Sequence, residues 1–171
     1  MSRFAAAAPL LALLALVGLF AGYSLHRKPH IEPTALVGKP LPDLFLPPLS
    51  GGAPLPIRTL AKGPALLNLY ASWCGPCADE APALLALKAE GVSIIGVAYR
   101  DAPVNAAAFL TRYGDPYKRV VSDRDGRAGI DLGATGVPET LAIDRFGVIR
   151  AKQAGPITPA AAEGLLAKAS D

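Results

Sequence analysis

The fold is decided by the stretch Ala65-Leu66-Leu67-Asn68-Leu69-Tyr70-Ala71-Ser72-Trp73-Cys74-Gly75-Pro76-Cys77. Apolar and aromatic residues dominate 65–70 and predict a buried strand, of the kind found in sheets that are covered on both faces. A helix is predicted over 78–90, which places Cys74 at a junction between strand and helix. The first N–H groups of a helix lack backbone partners and carry partial positive charge, so this position favours the reactive thiolate of Cys74. Cys77 follows one helical turn later, close enough to form a disulfide with Cys74.

Other uses of a Cys-x-x-Cys pair fit this chain less well. Zinc sites require four ligands, and the two histidines, His26 and His30, lie far upstream. Haem attachment requires a histidine directly after the second cysteine, where this chain has Ala78. A purely structural disulfide over so short a loop removes little entropy from the unfolded chain and therefore stabilises little. We interpret Cys74 and Cys77 as a redox-active pair.

Length and composition bound the class of protein. The chain has 171 residues, of which 51% are hydrophobic and 18% are charged, enough for one domain with a hydrophobic core. The net charge is +3, and several of the positive charges flank the first apolar run. A slightly basic surface explains this charge, so we expect no nucleic-acid binding.

The N-terminal run from Phe4 to Leu25 contains no charged residue. As a helix with a rise of ~1.5 Å per residue, it is long enough to span a bilayer. A cleaved signal peptide is the alternative, because residues 22–24 form a weak small-x-small pattern, although the apolar part of a signal peptide is shorter. We interpret residues 1–28 as an uncleaved, single-pass membrane anchor.

Prolines recur after this anchor. They predict a stiff, extended linker over residues 29–40 that holds a domain of residues 41–171 away from the membrane. Basic residues flank both ends of the apolar run, so the positive-inside rule does not orient it. Because disulfides form and persist on the oxidising side of a membrane, we expect an inner-membrane protein whose domain lies in the periplasm.

The domain alternates strands with helices. Part of 41–49 predicts an edge strand, and 55–60 predicts a second short strand. After the cysteines, strands are predicted at 92–99, 118–122, 139–144 and 148–154, and helices at 104–113, 127–132 and 158–168. This alternation, which ends in a hairpin and a helix, predicts an α/β sandwich with a mixed sheet.

One of these strands is preceded by Gly136-Val137-Pro138-Glu139-Thr140. Proline at the start of a strand is ordinary, so a plain loop is one interpretation. The other is a cis Val137–Pro138 bond, since an X–Pro bond lowers the cis penalty to roughly 0.5–1 kcal/mol. The residues alone leave both interpretations open.

Residues 73–77, Trp-Cys-Gly-Pro-Cys after a buried strand, resemble the active site of thioredoxin-fold proteins. In that family a loop with a cis-proline packs against the disulfide and pairs its backbone with the substrate, and Pro138 matches the position of that proline. The resemblance therefore implies a thioredoxin-like three-layer sandwich in which Trp73, Val137 and Pro138 contact the substrate.

More narrowly, the chain resembles the membrane-anchored thiol:disulfide interchange proteins of cytochrome c biogenesis, the TlpA-like CcmG/DsbE group. The similarity covers about residues 36–160 in order, and the Gly-Val-Pro-Glu-Thr segment is its most specific part. The matching segments are 38–43, 67–74, 77 with 80 and 82, 100–103 and 136–144. Residues 92–125 match the insert that separates this group from thioredoxin. Two positions depart from the group: Gly75-Pro76 is the thioredoxin dipeptide, and Thr135 replaces an aromatic residue that is often found there.

Two carboxyl groups are candidates for tuning or proton transfer. Thioredoxin has a buried aspartate six residues before its first cysteine, and the matching position here is Asn68, which cannot titrate. Glu80 and Glu139 are acidic in the matching members of the group. Glu80 follows Cys77 by one turn and is expected to face it. A solvated helix charge, as expected at the neighbouring Asp79, is the alternative.

The resemblance implies a reductant in which Cys74 attacks a disulfide and Cys77 resolves the intermediate. The expected substrate is the CxxCH pair of apocytochrome c, or a thiol partner of the maturation system. A membrane thiol transporter supplies the electrons, and no metal or soluble cofactor is implied. An anchored reductase for copper-oxidase assembly or general disulfide repair is an alternative. A copper-binding assembly factor is disfavoured, because the only methionine is Met1 and no histidine lies near the cysteines.

Overall fold

The computed structural model describes residues 9, 12–20, 22, 35–61 and 63–170. The chain divides into two compact units, one up to Ile31 and one from Glu32 onward. The described residues of the first unit are helical, and more than half of the predicted anchor at 1–28 lies outside the described residues. Among the helices that the structure describes, none combines the length and the apolar character needed to cross a membrane.

A mixed sheet forms the centre of the second unit. The strands are β1 (Phe45–Leu46), β2 (Leu55–Pro56), β3 (Ala65–Tyr70), β4 (Ile94–Tyr99), β5 (Arg119–Asp123), β6 (Glu139–Ile143) and β7 (Ile149–Ala154). The last five form one sheet in the order β5-β4-β3-β6-β7. Strand β3 is parallel to β4 and antiparallel to β6, and all of its residues are buried. The apolar run before the cysteines is therefore the central strand.

Helices cover both faces of this sheet. They are α1 (Ile57–Leu60), α2 (Gly75–Ala89), α3 (Pro103–Tyr113), α4 (Arg127–Asp131) and α5 (Pro159–Ser170). Helices α2, α3 and α5 enclose a core with Leu66 and Tyr70 of β3. The segment before β3 and the end of α4 enclose a second core with Leu67 and Leu69. Successive side chains of a strand point to opposite faces, so β3 contributes to both cores. The predicted three-layer α/β sandwich with a mixed sheet is confirmed.

The two cysteines lie on one face of the sheet. The first core also contains Cys74 and Cys77, and we call this side of the sheet the cysteine face. We call the other side, which carries Leu67 and Leu69, the opposite face. Any residue of the sheet can be assigned to one side by its register with β3.

The region before β3 differs from the prediction. Strands β1 and β2 form an antiparallel pair, but the strand predicted at 55–60 ends at Pro56 and the chain continues as α1. The strand predicted within 41–49 is likewise reduced to the two residues of β1. Proline has no N–H to donate to a ladder, and the prolines of this region explain why both strands are short.

The end of the predicted linker is attached to the edge of the sheet. The Gly38 N–H donates to the Ile149 carbonyl at 2.7 Å, and the Ile149 N–H donates to the Lys39 carbonyl at 3.0 Å. These bonds occupy backbone groups of β7 that face away from β6. The edge strand is therefore protected at its start.

Helix α2 begins at Gly75, earlier than the predicted start at residue 78. Cys74 is its N-cap, and Pro76 stands in the first turn, where the missing N–H is not needed. Cys77 consequently lies inside the helix. The boundaries of the strands and helices after α2 differ from the predicted ones by no more than two residues.

Candidate active site

The two cysteines form a disulfide at the start of α2. Their Cα atoms are 5.3 Å apart, and the Cys77 N–H donates to the Sγ of Cys74 at 3.2 Å. Cys74 is the more exposed of the two, at 5% against 2% for Cys77. Cys74 is the N-cap of α2, so the N–H groups of the first helical turn stabilise negative charge on its sulfur.

The active-site loop is held by the segment that follows β4. The Asp101 carboxylate accepts hydrogen bonds from the Ser72 N–H at 2.6 Å and from the Ser72 hydroxyl at 3.0 Å. The Trp73 indole N–H donates to the Arg100 carbonyl at 3.3 Å, and 60% of Trp73 is exposed. Trp73, predicted to contact the substrate, thus lies on the surface next to Cys74, with its ring oriented by Arg100.

The Val137–Pro138 peptide bond is cis, so the second of the two interpretations of this loop is confirmed. Pro138 is buried, and its carbonyl accepts a hydrogen bond from the Gly155 N–H at 2.9 Å. Val137 is half-buried and packs against both cores, including the one that contains Cys74 and Cys77. The loop therefore contacts the core on which the disulfide lies.

Glu80 is a buried carboxyl one helical turn after Cys77. It is 2% exposed, and its Oε1 accepts from the Asn68 Nδ2 at 3.0 Å while its Oε2 accepts from the Ile157 N–H at 2.8 Å. Burial raises the pKa of the Glu80 carboxyl, and these two hydrogen bonds lower it in part. The alternative of a solvated charge is wrong for Glu80 and correct for the exposed Asp79. A carboxyl in this setting can exchange a proton near Cys77.

Asn68 is the centre of a polar network on the cysteine face. Its Nδ2 donates to Glu80 Oε1 and to Thr140 Oγ1, each at 3.0 Å. Its Oδ1 accepts from the Tyr117 hydroxyl at 2.7 Å. All four residues are buried, so these hydrogen bonds replace the water that each polar group loses on folding.

Glu139 lies on the opposite face. It is paired in register with Leu69, and residues directly opposite each other in a sheet share a face. Its Oε2 lies 2.7 Å from the Lys152 Nζ in an ion pair of which both side chains are buried, and its Oε1 accepts from the Thr135 N–H at 2.8 Å. Of the two predicted carboxyls, only Glu80 is brought together with Asn68 on the cysteine face.

Sequence reasoning missed the residues that position the predicted ones, namely Ser72, Asp101, Tyr117, Thr140 and Lys152. Three of them carried a signal. Thr140 directly follows Glu139 in a strand, so alternation places their side chains on different faces. Ser72 and Asp101 each lie within a segment on which the resemblance rests. Nothing in the sequence around Tyr117 or Lys152 indicates their contacts.

The arrangement is suited to thiol–disulfide exchange. It combines a cysteine at a helix N-terminus, a second cysteine joined to it by a disulfide, and a buried carboxyl one helical turn after the second cysteine. Among the described residues, no group of three or more His, Cys, Asp or Glu side chains is placed to hold a metal ion.

Known proteins are similar to this chain in sequence and in fold. A family model described as Redoxin matches residues 36–166. The thiol:disulfide interchange protein HelX of Rhodobacter capsulatus is 42% identical over 153 residues, covering 88% of this chain and 86% of HelX. The thiol:disulfide interchange protein DsbE of Pseudomonas fluorescens is 40% identical over 157 residues, covering 92% of this chain and 88% of DsbE. Among solved structures, the thio-disulfide isomerase of Thermus thermophilus matches with a TM-score of 0.63 at 28% identity, over 79% of this chain and 98% of that one.

Proposed function

We propose that this chain reduces disulfides during cytochrome c maturation. It belongs to the Redoxin family and, within that family, to the DsbE and HelX group of thiol:disulfide interchange proteins. The chain is a thiol:disulfide oxidoreductase with a thioredoxin-like fold. One observation carries the proposal: a disulfide at the N-terminus of α2 lies one turn from the buried carboxyl of Glu80. The finer statements below rest on this geometry and on the resemblance to the CcmG/DsbE group.

The reaction proceeds by two exchanges. The Cys74 thiolate attacks one sulfur of the substrate disulfide, that S–S bond breaks, and the departing sulfur takes the electron pair and then a proton. A mixed disulfide now joins Cys74 to the substrate. The Cys77 thiolate attacks the Cys74 sulfur, releases the second substrate thiol and forms the Cys74–Cys77 disulfide. The substrate gains two electrons and two protons, and the enzyme is oxidised.

Glu80 accepts the proton of Cys77 in the second exchange. Cys77 is 2% exposed, so its thiol has little access to water as a base. Positions 77 and 80 are three residues apart on one helix, which brings their side chains together. A carboxyl whose pKa is raised by burial is a better match for a thiol proton than an exposed one. We assign Glu139, paired with Lys152, to positioning the start of β6.

The charges near the cysteines support a reducing direction. Between Asn68 and Leu87 the sequence contains no Lys, Arg or His, and its ionisable side chains other than the cysteines and Tyr70 are Asp79 and Glu80. Negative charge near a thiolate disfavours it. A thiolate that is poorly stabilised gives a low potential, which is the property of a reductant.

The substrate that we propose is the CxxCH pair of apocytochrome c, or a partner thiol protein that presents it. Trp73, Val137 and Pro138 contact this substrate, and a membrane thiol transporter re-reduces the enzyme. The apolar run from Phe4 to Leu25 anchors the chain in the inner membrane, with the oxidoreductase domain in the periplasm.

Substrate trapping tests the function. In the full chain, Cys77→Ser should accumulate a mixed disulfide through Cys74, because no thiol remains to resolve it. Cys74→Ser is the matched control and should trap little, because Cys77 is buried. Mass spectrometry of the adducts should identify a c-type cytochrome precursor or its thiol partner. Adducts made only with unrelated proteins would contradict the cytochrome role, and adducts made only by Cys74→Ser would reverse the roles of the cysteines.

Carbonate extraction tests the anchor separately. The full-length protein should remain in the membrane pellet at alkaline pH, and its N-terminal sequence should begin at or near Met1. A mature protein that starts near Leu25 would refute the uncleaved anchor.

A further inference from the structure

We propose that Tyr117 is a positioning residue for the redox site: its hydroxyl holds the side-chain amide of Asn68 in the orientation that presents N–H to Glu80. Tyr117 touches neither cysteine nor Glu80 through a hydrogen bond, and it acts through Asn68. The inference deepens the proposed function, because it rests on the proton-transfer role of Glu80 given above.

The amide of Asn68 is fully engaged in one orientation. An Asn amide has two N–H donors and one acceptor oxygen. One N–H of Asn68 meets Glu80 Oε1 and the other meets Thr140 Oγ1, each at 3.0 Å, and the oxygen meets the Tyr117 hydroxyl at 2.7 Å. Rotating the amide by a half turn would exchange its nitrogen and oxygen. Glu80 would then face an acceptor instead of a donor.

The Tyr117 hydroxyl discriminates between the two orientations. In the rotated amide, N–H would point at the phenol oxygen, and the phenol proton would lose its partner inside the core. An unpaired buried donor is costly, and Tyr117 is only 6% exposed. Burial, followed by the charges of Tyr70, Glu80 and Asp115, raises the pKa of Tyr117 well above its ordinary range. The hydroxyl therefore keeps its proton and remains a donor to Asn68.

Packing fixes the ring that carries this hydroxyl. Tyr117 stacks on Tyr70 with ring centroids 5.1 Å apart and an interplanar angle of 27°. Gly96 on β4 leaves room for the ring, since a Cβ at that position would lie 2.8 Å from it. The Asp115 carboxylate accepts the Tyr117 backbone N–H at 2.9 Å. Three separate contacts thus hold the donor in place.

The surroundings of Glu80 make Asn68 the decisive partner. Two groups bond the carboxyl directly: Asn68 from β3 and the Ile157 N–H from the segment before α5. Cys77 and the exposed Asp79 lie near it on its own helix. The titratable and polar groups beyond Asn68 are Thr140, Tyr117, Tyr70 and Asp115. The two direct partners, Asn68 and Ile157, are neutral donors that favour the ionised carboxylate. The Ile157 N–H is backbone and cannot rotate away. The Asn68 amide can, so whatever holds it decides whether Glu80 keeps its second hydrogen bond, which is the part of its proton affinity that a side chain can change.

The test follows the titration of the Glu80 carboxyl by carbon-13 NMR in the oxidised full chain. Tyr117→Phe frees the amide to rotate, so the proton affinity of Glu80 should rise roughly threefold to tenfold, the effect of losing part of a hydrogen bond to a charged group. Tyr70→Phe is the matched control. It makes the same chemical change on the stacked ring, whose buried hydroxyl has no hydrogen-bond partner in the described part of the chain. Its titration should follow the wild type.

A second variant covers the case in which Tyr117→Phe does not fold. Thr140→Val keeps the shape of its side chain and removes the acceptor of the other Asn68 N–H, so it should shift the titration in the same direction. The pH profile of thiol exchange with a model disulfide should shift with the titration in each variant. The proposal would be overturned if the Glu80 titration were unchanged in both Tyr117→Phe and Thr140→Val. It would also be overturned if Tyr70→Phe shifted the titration equally, or if the pH profile of thiol exchange did not shift with the titration. These measurements need no cytochrome, so their outcome is independent of the outcome of the trapping experiment.

Discussion

Replacing Asn68 with aspartate should make folding stability strongly dependent on pH. The Asn68 Nδ2 lies 3.0 Å from Glu80 Oε1, and both residues are buried. Asn68→Asp therefore replaces a donor with a carboxylate oxygen at hydrogen-bond distance from another carboxylate. Two such groups cannot both ionise in one buried site, so the folded variant retains a shared proton.

The size of the loss in stability follows from the repulsion between the two carboxylates. Two unit charges ~4 Å apart repel by about 4 kcal/mol at an effective dielectric constant of about 20. In the unfolded chain both carboxyls lose their protons near pH 4. The folded pair has the raised pKa, so its stabilising contribution is fully present below that pH and is lost as the pH rises, by about 1.36 kcal/mol per pH unit. Relative to wild type, whose own Glu80 pKa is raised by burial, the variant should be less stable by about 3–4 kcal/mol near pH 7.5 and by under about 1 kcal/mol near pH 4.5.

Urea unfolding of the oxidised full chain, followed by circular dichroism across this pH range, measures the difference. Asn105→Asp is the matched control, because it makes the same chemical change at an exposed position of α3. Its stability should run parallel to that of the wild type at every pH. If Asn68→Asp also ran parallel to the wild type, positions 68 and 80 would not share a buried site, and the reasoning about the network would be refuted.

Three further outcomes are expected. Gly96→Ala should lower the free energy of unfolding by about 1–3 kcal/mol because its Cβ would lie 2.8 Å from the Tyr117 ring. Gly164→Ala, which has open space around it in α5, should raise it by about 0.5–1 kcal/mol, and equal effects in urea unfolding would contradict the packing argument. Lys152→Met should cost about 3–5 kcal/mol by leaving Glu139 buried without its ion pair, and adding Glu139→Gln should recover part of the loss; a double variant as unstable as the single one would count against this account. Equilibration with dithiothreitol and glutathione should give a potential closer to about −270 mV than to about −120 mV, and a value above roughly −170 mV would indicate an oxidant.

The parts of the fold and site that depend on neighbouring residues were predictable from the sequence. The buried strand 65–70 and the start of a helix after Cys74 adjoin each other in the chain, so their junction places the cysteines at a helix N-terminus without reference to any other element. The order of the strands and helices after α2 followed from local periodicity and turn residues in the same way. The helix start was misplaced because capping by a cysteine side chain has no strong sequence signal.

Only the tertiary structure decided which of the two carboxyls lies on the cysteine face. Alternation shows that Glu139 and Thr140 point to different faces, but the pairing of β6 with β3 decides which of them faces the cysteines. Asn68 meets Glu80, Tyr117 and Thr140 across sequence separations of 12, 49 and 72 residues. A hydrogen bond depends on distance and direction in space, and neither is encoded by residues so far apart until the sheet and α2 have packed. The sequence therefore determined the reactive pair, and the packing of distant elements determined which groups surround Glu80.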